Sequence, residues 1–180
     1  MLRNSISSYG WLTKGLHWTI AALIFGLIGL GWYMVDLTYF DRWYNASLSF
    51  HRALGLLVLV LGCALVCWKI ISASPAYPPS VGPLSRLAAT AVHALLMLMM
   101  VLIPVTGYLI STSAGKAIDV FGWFEVPPLV DVNTAVRDLA IQVHYFSAYG
   151  TGVLALAHAA AAFKHQFIDH DGILARMWWR

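Results

Sequence analysis

The sequence predicts an all-α membrane protein, an antiparallel bundle of four transmembrane helices, and three observations carry that prediction. Of its 180 residues 60% are hydrophobic and 11% charged, with a mean hydropathy of +0.73, where soluble domains carry about 25% charged residues. Four apolar runs, at 15–36, 50–71, 87–111 and 139–163, approach or exceed the ~20 residues that take a helix across a ~30 Å hydrocarbon core. Charges stand only near the ends of these runs. Residues 1–180 therefore read as a single four-helix transmembrane domain.

The opening Met1 to Gly10 is polar, and the run after it is too long for a signal-peptide core and lacks a clear small-residue cleavage site, so the first helix is expected to be retained. That helix carries His17 and Trp18 near its start and ends in Trp32, Tyr33 and Met34, an interfacial aromatic belt. The second begins with His51 and Arg52 and runs through Gly55 and Gly62 to Trp68 and Lys69. Ser74-Pro75, Pro78-Pro79 and Gly82-Pro83 then make a connector that cannot continue a helix. The third helix holds His93, Pro104 and Gly107, and the proline is expected to bend its outer end. The loop from Ser111 to Arg137, with Phe121-Gly122-Trp123-Phe124 and Pro127-Pro128, reads as an interfacial cap. The fourth helix carries His144 and His158, and the tail ending Met177-Trp178-Trp179-Arg180 reads as a short amphipathic segment at the inner interface.

Lysines and arginines set the orientation. Arg3, Lys14, Lys69, Arg86, Lys164, Arg176 and Arg180 lie on one side, against Arg42, Arg52, Lys116 and Arg137 on the other. Both termini are therefore expected in the cytoplasm, and the net charge of +3 suits an inner-membrane face rather than nucleic acid. Cys63 and Cys67 are four apart on one helix, a poor geometry for a disulfide, and read as small packing residues.

His144 and His158 are fourteen residues apart, nearly four whole turns, so both point to one side of their helix about 21 Å apart. An ionisable side chain inside a membrane is a functional candidate, because an unpaired polar group in hydrocarbon is costly. The bland alternative is a neutral histidine hydrogen-bonded across a helix interface, but four at matched depths favour a cofactor. Antiparallel threading puts His51 level with His144 toward the outer side and His17 level with His158 toward the inner side. The residues four positions after these histidines are Ala21, Gly55, Ala148 and Ala162, all small, as a helix against a flat ring requires. After His93 the equivalent residue is Met97, so His93 reads as a non-ligand in the inner half, near a quinone or a haem edge. A structural zinc site wants four ligands converging on one point, whereas these histidines fall at two depths. Two haems held by side chains of facing helices fit better, so the bundle is expected to enclose two haems. A histidine-lined carrier of protons or a metal remains open at this point.

These residues also resemble the bacterial cytochrome b561 family of small dihaem membrane proteins. The resemblance rests on Leu16-His17-Trp18, on His51 with Gly55, on Pro104 with Gly107, and on His144 with His158-Ala159-Ala160-Ala161-Ala162. Gly115-Lys116 through Phe121-Gly122-Trp123 and Lys164-His165 through Met177 are also similar, so nearly the whole chain is covered. The resemblance implies two b-type haems, with His17 and His158 as axial iron ligands of one and His51 and His144 of the other. It also implies an oxidoreductase of the bacterial inner membrane that takes electrons from superoxide at the periplasmic side and reduces ubiquinone. The alternative it offers is a haem-bearing anchor passing electrons between a partner dehydrogenase or hydrogenase subunit and the quinone pool. In one respect the chain departs from the family: many members carry an arginine where this sequence has Leu65.

On this reading Arg52, Lys116 and Arg137 are candidates for an outer anion site, a local positive patch within an otherwise acidic loop. His93 and His165 are candidates for the quinone vicinity, since an imidazole can exchange a proton with a reduced quinone.

Overall fold

The computed structural model describes residues 1–179, and Arg180, counted above among the inner-side cations and as the last residue of the tail, lies outside them. Four long helices make up most of the chain: α1 Trp11–Val35, α2 Tyr44–Ile71, α3 Pro83–Thr112 and α4 Thr134–Phe167. All four are long and apolar enough to cross a membrane. Neighbours in sequence pack against one another in turn, and a sparser seam between α1 and α4 closes the bundle.

Each helix starts earlier than its apolar run, α1 by four residues and α2 by six. Polar flanks lower hydropathy without breaking a helix, and local bonds take up the donors of the first turn. At α1 the amides of Trp11 and Leu12 donate back to the carbonyls of Met1 and Leu2. At α4 the side chain of Asn133 accepts from the Val136 amide at 2.9 Å, and at α3 Pro83 supplies a preset first residue. With 34 residues, α4 is about 51 Å long, so it overruns the hydrocarbon at its ends.

Helix α3 runs on through Pro104. The proline has no N–H for the carbonyl of Met100, and that carbonyl lies at the crossing with α2. A Cβ on Gly62 would stand 3.2 Å from the Met100 Cβ and 3.4 Å from the Met100 oxygen. Glycine at 62 thus lets two backbones meet closely, the usual device for helix contact in lipid. Outward-facing side chains such as Phe25, Val60, Leu98, Val153 and Leu156 are exposed, as lipid-facing residues are. Cys63 and Cys67 are free and also exposed, which corrects the expectation that they fill interior packing.

The outer loop adds one small element to the four helices. Ile118–Val120 (β1) and Phe124–Val126 (β2) form an antiparallel hairpin. Its turn carries positive φ at Phe121 (55°) and Gly122 (73°), the backbone twist that tight hairpins favour. The Asp119 carboxylate accepts the Gly122 amide at 3.0 Å. Phe121 packs on Phe50 of α2 with ring centres 6.0 Å apart, so the hairpin sits against the start of α2 beside His51.

At the opposite end the N-terminal segment, the α2–α3 connector and the tail are laced together. Asn4 accepts from the Gly10 amide (2.8 Å) and the Thr13 hydroxyl (2.7 Å) and donates to the Ala73 carbonyl (2.9 Å). Trp68 donates its indole N–H to Thr13 at 2.9 Å, and Arg176 donates to the Ala76 carbonyl. The tail reverses at His170 and Gly172, both at positive φ, and forms a short 3-10 turn at Leu174–Arg176. It folds back onto α1 instead of lying alone at the interface: Trp18 donates to the Met177 carbonyl at 2.9 Å, and Trp11 meets Trp179 at 4.5 Å.

Candidate cofactor site

Two pairs of imidazoles face each other inside the bundle. His17 of α1 and His158 of α4 have ring centres 6.2 Å apart at 66° between planes. His51 of α2 and His144 of α4 have centres 6.2 Å apart at 61°. Two imidazoles on opposite sides of one metal ion, each at about 2 Å, stand with ring centres roughly 6 Å apart. The four histidines matched by depth in the sequence are thus the four that the helices bring together, two by two.

His93 of α3 joins the inner pair, its ring centre 5.2 Å from that of His158. Ligands on opposite sides of one ion stand farther apart than that, as His17 and His158 do at 6.2 Å, so His93 lies beside the pair and does not face His158 across an iron-bearing ring.

The residues at the outer pair fit an iron-bearing ring. His144 Nδ1 lies 2.9 Å from the carbonyl of Ile103. A carbonyl only accepts, so Nδ1 carries the proton and Nε2 keeps the lone pair a metal needs. His51 Nδ1 and Arg52 Nε are buried without a protein hydrogen-bond partner. A Cβ at Gly55 would meet nothing within 4 Å, which leaves the helix face one turn past His51 open to a flat group.

Glycines on the opposing helices admit the imidazoles themselves. A Cβ on Gly31 would stand 3.5 Å from His51 Cε1, and one on Gly107 3.0 Å from His144 Cε1. Sequence spacing pointed to the small residues after each histidine. It missed Gly31, and although Gly107 stood out as a motif, nothing local assigned it to His144, because contact between helices leaves no spacing signal. Thr151 was also missed. Buried, with an unpartnered hydroxyl, it stands seven residues from each of His144 and His158. Two turns to either side place it on the same face, midway between the two pairs.

Of the outer cations, Arg52 is half-buried beside His51, Lys116 is exposed two residues before β1, and Arg137 is bound to Asp138 at 2.9 Å. At the inner end His165 is seven residues beyond His158, about 10.5 Å along α4. Its Nδ1 donates to Asp171 at 2.6 Å and lies 3.2 Å from Asp169, which Lys164 also binds. His93 and His165 thus occupy different levels of the bundle. Leu65, at the place of the expected arginine, is half-buried on α2.

The family model for prokaryotic cytochrome b561 matches residues 8–180. The chain is 40% identical over 174 residues to cytochrome b561 homolog 2 of Escherichia coli (strain K12), covering 97% of this chain and 93% of that protein. It is 29% identical over 127 residues to cytochrome b561 homolog 1 of the same organism, covering 71% and 72%. With four membrane-crossing helices and histidines paired across them, the chain belongs to the prokaryotic cytochrome b561 family, multi-pass membrane electron-transfer cytochromes that carry b-type haem.

Proposed function

We propose that the chain holds two b-type haems, one between His17 and His158 and one between His51 and His144, and conducts electrons across the bacterial inner membrane from superoxide to ubiquinone. The observation that carries this reading is the repetition of one geometry, a 6.2 Å imidazole pair, at each end of the bundle. Bound there, the haems supply one-electron exchange. The protein's part is to set their ligands, burial and surrounding charge, which tune the potentials. Two superoxide ions give up one electron each and leave as dioxygen; one ubiquinone takes up those two electrons and two protons to become ubiquinol.

The termini and the α2–α3 connector lie on the cytoplasmic side in this reading, supported by the excess of lysine and arginine there. At the outer end Arg52 and Lys116 draw in the anion, with Arg137 contributing less because Asp138 already pairs with it. Toward the quinone, His165 is the residue equipped to pass a proton. Asp171 holds its Nδ1–H, so Nε2 is the atom that exchanges. His93, against the inner pair, lines the approach.

A single experiment tests the core of the reading: a pyridine haemochrome assay on purified protein with oxidised and reduced spectra. Two low-spin b haems per chain are expected, and colourless folded protein overturns the proposal. Reduction by superoxide followed by quinol formation in the same preparation then tests the substrates. The anchor reading calls for a broad docking face, whereas the long outer loop is a small hairpin packed onto α2.

A further inference from the structure

Lys14 is a lysine that the function described so far does not use, and it is buried. It stands in the first turn of α1 and is only 9% exposed. Among the described residues its ammonium donates to one acceptor, the carbonyl of Trp178, at 2.8 Å. Among the described residues the side-chain ion pairs are made by Arg137, Lys164 and His165, and none reaches Lys14. The groups around it are already committed or apolar. The Thr13 hydroxyl is taken by Asn4 and Trp68, Trp18 is bonded to Met177, and Trp11 lies on Trp179. A full charge with one neutral acceptor is costly to bury unless an anion shares the site.

The register of α1 says which anion. Lys14 precedes His17 by three residues, about 4.5 Å toward the helix start and within roughly 60° of the same face. A b-type haem carries two propionate carboxylates on one edge. With the iron held through His17 and His158, a propionate turned toward the inner end of the bundle would come within reach of Lys14. We propose that Lys14 is the counter-charge for a carboxylate of the inner haem. The inference rests on the His17–His158 pairing proposed above. The cation does two things there: it anchors one edge of the ring, and its positive charge favours the reduced iron, raising the potential of that haem alone.

The test is a redox titration of the haem-loaded protein, wild type against Lys14→Gln and Lys14→Arg, with haem per chain measured on each. Lys14→Gln is expected to keep the low-spin spectrum and to lower the midpoint of one haem. The reduced-to-oxidised ratio at fixed potential should fall about tenfold, or about 59 mV for a one-electron couple. The other haem should be unmoved, and Lys14→Arg should restore the wild-type value. Full haem content with both midpoints unchanged in Lys14→Gln overturns the assignment, since a lysine that only ties down Trp178 would leave the potentials alone. If Lys14→Gln loses the inner haem, retention by Lys14→Arg supports the charge role, and loss in both variants overturns it in favour of packing. A wild-type protein with no haem that depends on both His17 and His158 defeats the pairing itself, an outcome distinct from failure at Lys14.

Discussion

His144 of α4 is tied by its Nδ1–H to the carbonyl of Ile103 on α3, 2.9 Å away and one residue before Pro104. The Thr106 hydroxyl, itself donating to Ile103 at 2.8 Å, lies 3.2 Å from the same ring nitrogen. Bonds of this kind fix the tautomer and ring orientation of a metal-binding histidine, and losing one typically costs about 10–100-fold in metal affinity.

Gly107 lets that ring sit where it does. A Cβ there would already stand 3.0 Å from His144 Cε1, so the branched side chain of Gly107→Val must displace the imidazole. The expected result is a fall from two haems per chain to one, with the inner haem spectrum kept. Two haems retained in Gly107→Val would show that His144 binds iron in another position.

His93 is close to the inner pair, but at 5.2 Å from His158 it stands nearer than the 6.2 Å at which His17 faces that ring. His93→Ala is therefore expected to keep both haems, whereas His17→Ala and His158→Ala each lose the same one. Haemochrome counts on the three variants check this, and loss of a haem in His93→Ala would put His93 among the ligands.

The α2–α3 crossing tolerates little beyond glycine at position 62. With a Cβ at 3.2 Å from that of Met100, Gly62→Val overpacks the contact, at a cost of about 1–3 kcal/mol. A lowered unfolding temperature of the detergent-solubilised protein is the readout, while an unchanged one would mean that the helices separate freely.

Asn4 makes three of the bonds that lace the inner cap. Asn4→Ala leaves the Gly10 amide and the Ala73 carbonyl without this partner, an expected loss of about 1–3 kcal/mol. Limited proteolysis should cut the first ten residues faster in the variant, and equal rates would refute the role.

A pH effect belongs to the tail. Lys164 holds the Asp169 carboxyl below its usual value through a direct hydrogen bond, and the neighbouring His165 and His170 add to this. A carboxylate whose native pKa is depressed adds stability that is complete above about pH 4. That stability is lost as pH falls through the lower native value. NMR titration should find the Asp169 midpoint low in wild type and returned toward the ordinary value in Lys164→Gln. An unchanged midpoint would remove Lys164 as the cause.

Sequence reading alone reached the number of helices, their antiparallel order and the two histidine pairs. Each rests on a signal that one strand of sequence carries: apolar runs of membrane length, the fourteen-residue spacing of His144 and His158, and depth counted from helix ends. The hairpin at 118–126 was hidden because three-residue strands around Phe121-Gly122 are too short to show a period. Only the tertiary structure could decide the rest. The glycines at 31 and 107 matter because of a ring on another helix, and Gly62 because of a backbone on another helix. Lys14 is an ordinary interfacial lysine in the sequence and becomes a buried cation once the tail closes over it. Periodicity shows which face of a helix is turned inward; what waits opposite that face is set by how the helices pack and where the ends of the chain fold back.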